Sequence, residues 1–121
     1  MTELKITPEA QQILVEMQTL QQQIQAVLIQ RESLNIQNVE MEKALEEMKN
    51  TKEKEVFKIV GPILVKAAKE EVEKEFAEKK ELIDVRLKSL KKQEDRLKEK
   101  INEAQEKFEK EFKPVKDKPA A

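Results

Sequence analysis

The sequence predicts a mainly α protein, with two long helices folded into an antiparallel coiled coil and joined by one central β-hairpin. Three observations predict it. Of 121 residues 40% are charged, with one Gly, four Phe and no Trp, Tyr, Cys or His, a composition poor in the aromatics that fill compact interiors and typical of long helices. Two stretches carry apolar residues in alternating steps of four and three, the signature of a coiled-coil seam. Between them lies one short segment of β-branched residues around the single Gly.

The first helix is expected over about residues 8–50. Thr7 stands as N-cap, Pro8 at the first helical position and Glu9 in the first turn. Ile13, Met17, Leu20, Ile24, Val27, Arg31, Leu34, Asn38, Met41, Leu45 and Met48 then form an unbroken heptad seam. A straight helix of this extent is about 60 Å long at 1.5 Å per residue, too long to bury its stripe within a small globule. Arg31 and Asn38 interrupt the seam, as residues that fix register and partner choice do. Met17, Met41 and Met48 at seam spacing are core gap-fillers.

The hairpin is expected over 55–66. Gly61-Pro62 suits a type II′ turn, because Gly accepts positive φ at the first central position and Pro fits negative φ at the second. Val60 then faces Ile63, and Ile59 faces Leu64. Alternation puts Val56, Lys58, Val60, Ile63 and Val65 on one face and Phe57, Ile59, Leu64 and Lys66 on the other. Both faces are largely apolar, and a lone two-stranded hairpin is marginal in water with two unpaired edges. It should pair with hairpins of other chains, and closure into an intersubunit β-barrel removes every edge.

The second helix is expected over 68–112. Val72, Phe76, Ile83, Leu87, Leu90, Leu97, Ile101, Ala104 and Phe108 continue the heptad spacing, with Lys80 and Glu94 as polar interruptions. Pairs such as Glu70/Lys74, Glu75/Lys79 and Glu106/Lys110 give the arm a solvated face. Residues 113–121, with two prolines, read as a flexible tail. Two seams of matching length are best satisfied by packing antiparallel, which gathers Leu4, Ile6, Ile13 and Leu14 with Phe108, Phe112 and Val115 at the far tip. Ile13 and Phe108 can close the seam there, whereas Leu4, Ile6, Phe112 and Val115 lie outside its regular part.

Several function classes are disfavoured. Without Cys or His there is no thiol nucleophile and no side chain titrating near neutral pH in its unperturbed state. No constellation of nucleophile, base and oxyanion donors is legible, and no Gly-rich phosphate loop, so the chain is not expected to be an enzyme or to need a cofactor. The acidic pairs Glu46-Glu47 and Glu70-Glu71 do not fix enough oxygens around a point for a metal. A net charge of −1 gives no pull towards nucleic acid or an anionic membrane surface. No apolar run approaches the ~20 residues of a membrane span, and the charged start is unlike a secretory signal, so a cytoplasmic location is expected.

The hairpin Val56-Phe57-Lys58-Ile59-Val60-Gly61-Pro62-Ile63-Leu64-Val65-Lys66 and the Gln-rich run Leu20-Gln21-Gln22-Gln23-Ile24-Gln25 closely resemble the β-type subunits of prefoldin. The resemblance extends over about residues 9–112, so the chain 1–121 reads as one prefoldin-like domain. Phe57 stands where many members of the family have Tyr. The resemblance implies a hexamer of two α-type and four β-type subunits, in which this chain supplies one hairpin. It also implies an ATP-independent holdase that captures unfolded clients at the coiled-coil tips and passes them to a group II chaperonin. The implied client-contact residues are Leu4, Ile6, Ile13, Leu14, Phe108, Phe112 and Val115; the implied oligomerisation residues are Val56, Phe57, Ile59, Val60, Gly61, Ile63, Leu64 and Val65. The alternative is a coiled-coil spacer or assembly scaffold that binds no client.

Overall fold

The computed structural model of the chain describes residues 6–112. Helix α1 (Pro8–Asn50), strands β1 (Glu55–Val60) and β2 (Ile63–Ala68) and helix α2 (Lys69–Phe112) follow one another along the sequence. Thr7 caps α1: its hydroxyl oxygen accepts a bond from the Ala10 N–H at 3.0 Å, and its carbonyl accepts the first helical bond from the Gln11 N–H at 2.9 Å. Pro8 sits at the one turn where a missing N–H costs nothing.

The other end of α1 is tied to the start of α2. The Thr51 N–H donates to the Glu47 carbonyl at 3.1 Å, and the Lys69 ammonium donates to the Thr51 carbonyl at 3.0 Å. A cation there suits the negative end of the helix dipole. The Lys69 N–H also donates to the Lys54 carbonyl at 2.9 Å, which closes the base of the hairpin.

The strands pair antiparallel with Val60 opposite Ile63, Ile59 opposite Leu64, Lys58 opposite Val65, Phe57 opposite Lys66, Val56 opposite Ala67 and Glu55 opposite Ala68. Gly61 has φ of 58° and is the one described residue with positive φ, as a II′ turn ending in Pro62 requires. β2 runs two residues past the expected end. Ala67 and Ala68 are good helix formers, but Val56 and Glu55 give them cross-strand partners, and pairing overrides their propensity.

The described residues fall into two compact units, one from residues 6–29 with 91–112, the other from Gln30–Leu90. In the described part of the first, Ala10, Leu20, Val27 and Ala104 are buried, and Ile13, Leu14, Met17, Ile24, Leu97, Ile101 and Phe108 are half-buried. Glu94 is also buried here, at 4% exposure. The Lys98 and Lys91 ammoniums lie 3.2 and 3.8 Å from its carboxylate, so its charge is compensated rather than stranded.

In the second unit Met48, Val72, Ile83 and Leu90 are buried, flanked by half-buried Leu34, Met41, Leu45, Phe76 and Leu87. Asn38 donates to Asp84 at 3.2 Å, and Lys80 bridges Glu42 and Asp84 at 3.3 Å each. Residue numbers rise on one helix as they fall on the other, so the pair is antiparallel. This polar cluster sits in the seam, and the Asn38 Oδ1 is buried without a hydrogen-bond partner.

Candidate assembly interface and tip

Among the described residues, exposed apolar side chains are scattered along the helices at Val15, Leu28, Ile29, Ile36, Val39, Leu82 and Val85, and two regions named from the sequence stand apart from that scatter. The first is on the hairpin. Phe57, Ile59 and Leu64, on the face carrying Lys66, are 69%, 75% and 67% exposed. Large apolar side chains side by side in water mark an interaction surface rather than ordinary scatter. Glu55 and Lys66 form a 3.3 Å ion pair at the base of that face, both well exposed.

The other hairpin face turns towards the helices. Val56 and Ala67 are half-buried against them, whereas Val60, Ile63 and Val65 remain exposed. A groove of about 780 Å³ stays open here, lined by Met41, Met48, Val72 and Phe76 of the helices and by Val56 and Val60 of β1. Lys58 reaches across it and donates to both carboxylate oxygens of Glu75, at 3.0 and 2.9 Å. That bond holds the Glu75 carboxyl below its ordinary pKa of 4.5, against a smaller opposing effect of burial and with help from the charges of Lys58 and Lys79.

Seven of the eight hairpin residues named from the sequence therefore lie in one two-stranded sheet, and the eighth, Gly61, lies in the turn that joins its strands. The outer edges of β1 and β2 have no strand partner among the described residues. Lys58 was not among the eight, although Lys at the centre of an apolar strand is itself a signal of a specific partner.

The second set is the tip. Ile6 is exposed, while Ile13, Leu14 and Phe108 are half-buried in the first unit. Ile13 and Phe108 sit where the seam closes, and Leu14 lies beside it. Leu4, Val115 and the side chain of Phe112 lie outside the described residues, as does the expected tail 113–121. The Thr7 hydroxyl donates to Glu111 at 3.3 Å, which brings the start of α1 beside the end of α2. No helix among the described residues is long and apolar enough to cross a membrane.

Comparison with known proteins gives a consistent result. The family model described as prefoldin subunit matches residues 11–114. A prefoldin subunit beta of Archaeoglobus fulgidus is 42% identical over 106 residues, which are 87% of this chain and 91% of that protein. A prefoldin subunit beta of Pyrococcus furiosus is 37% identical over 110 residues, 90% of this chain and 94% of that protein. The crystal structure of the prefoldin beta subunit from Thermococcus strain KS-1 superposes with a TM-score of 0.83 at 33% identity, covering 93% of this chain and 99% of that one.

Proposed function

The chain belongs to the prefoldin family, and from that premise we propose that it is the β-type member of a hetero-oligomeric holdase that captures non-native proteins without ATP. A prefoldin subunit is a chaperone and not an enzyme. Its relatives are named as beta subunits, and the finer reading supplies an α-type partner, in a ratio of two α to four β, with assembly through the hairpin. Clients meet the assembly at the tips through Leu4, Ile6, Ile13, Leu14, Phe108, Phe112 and Val115, and pass to a group II chaperonin in the cytoplasm.

The observation that carries this reading is the uncovered hairpin face of Phe57, Ile59 and Leu64, with its two unpaired edges. Two strands cannot close a barrel, so the edges are removed only by strands from other chains. Burying these three side chains is worth about 1.5–3 kcal/mol each, and the gain recurs in every subunit.

The test mixes the chain with an α-type prefoldin subunit and records native mass. Light scattering is then followed without ATP as a denatured client is diluted into a molar equivalent of the assembly. The expected outcome is a hexamer-sized assembly that suppresses scattering. Assembly without protection would favour a spacer, and failure to assemble would remove the hairpin from the proposed role.

A further inference from the structure

We propose that Lys58 and Glu75 form a strut that sets the tilt of the hairpin on α2, and that this tilt is what lets the hairpin join strands from other subunits. The inference rests on the hairpin being the assembly module. Two features leave the tilt open in the absence of a strut. Of the apolar residues on the helix-facing side only Val56 and Ala67 are half-buried, and the groove of about 780 Å³ between hairpin and helices stays open. Apolar contact is non-directional, and so little of it does not fix an angle.

Hydrogen bonds to a carboxylate are directional and strengthened by charge. The Lys58 ammonium, from the middle of β1, binds both oxygens of Glu75 on the second turn of α2. Among the described residues it is the one strand side chain hydrogen-bonded to a helix. The hairpin base is held by the backbone bond from Lys69 to Lys54, and a base and a mid-strand tie together define a tilt. Barrel closure tolerates only a narrow range of strand tilt, so a hairpin free to rock would meet its neighbours out of register. Lys58 and Glu75 are on this account positioning residues and contact no client.

The test uses the full chain as wild type, Glu75→Gln, Lys58→Met and the exchange Lys58→Glu/Glu75→Lys, each mixed with an α-type subunit over a concentration series. Native mass gives the assembly midpoint, and circular dichroism of the free chain gives helicity. Each single variant should keep wild-type helicity yet raise the midpoint on the order of three- to tenfold. The exchange should return it to within about twofold of wild type, as a double-mutant cycle requires of a direct pair. Singles that assemble at the wild-type midpoint, singles that lose helicity, or an exchange no better than the singles would overturn the strut. A wild-type chain that never assembles would overturn the assembly reading, and the strut with it.

Discussion

The Thr7 hydroxyl accepts from the Ala10 N–H and donates to Glu111, so one side chain both caps α1 and reaches α2. Thr7→Ala should lower stability by about 1 kcal/mol in a urea titration, and Thr7→Ser should recover most of the loss. At Gly61 an added Cβ would meet nothing within 4 Å, so the cost of Gly61→Ala comes from φ alone. It should be about 1–2 kcal/mol, read as a lower melting temperature, without rearrangement of neighbours. Glu75 titrates below its ordinary 4.5 because Lys58 binds its charged form. A group whose pKa is depressed on folding contributes above its unfolded value and ceases to contribute as pH falls through the folded one. The Lys58–Glu75 tie should therefore be intact from above pH 4.5 to neutrality and dissolve in acid below it. In Glu75→Gln, assembly with an α-type subunit should lose that acid limb, as native mass across pH would report.

At the scale of the elements, periodicity carried most of the information. Each seam position read from the spacing, from Ile13 to Met48 and from Val72 to Phe108, is buried or half-buried, because a heptad repeat leaves a helix pair one economical way to hide its stripe. The strand register was legible from Gly61-Pro62, since a two-residue turn fixes every pairing behind it. Polar partners were not legible. Glu75 lies 17 residues from Lys58 and Asp84 lies 46 from Asn38, across a chain reversal whose register fixes backbones but not the reach of long side chains. The Asn38 cluster leaves one buried oxygen unsatisfied, a cost in stability of the kind that a polar seam residue carries when it fixes register. Asn38→Leu should raise the stability by about 1 kcal/mol in denaturant melts while broadening the seam resonances of an NMR spectrum through loss of a unique register.

For the molecule as a whole, the proposed function puts assembly and capture in different regions, which should separate by mutation. Phe108→Ser with Phe112→Ser should weaken suppression of client scattering while native mass shows the same assembly; unchanged protection would remove these two residues from the capture step. The central claim is that the uncovered hairpin face builds the chaperone, and the most direct measurement compares wild type with Phe57→Ser/Leu64→Ser. Both are mixed with an α-type subunit and followed by native mass, helicity and ATP-free scattering of a diluted client. The account predicts that the variant stays helical, fails to enter the large assembly and leaves the client to aggregate, while wild type assembles and protects. A helical variant that assembles and protects as well as wild type would contradict it.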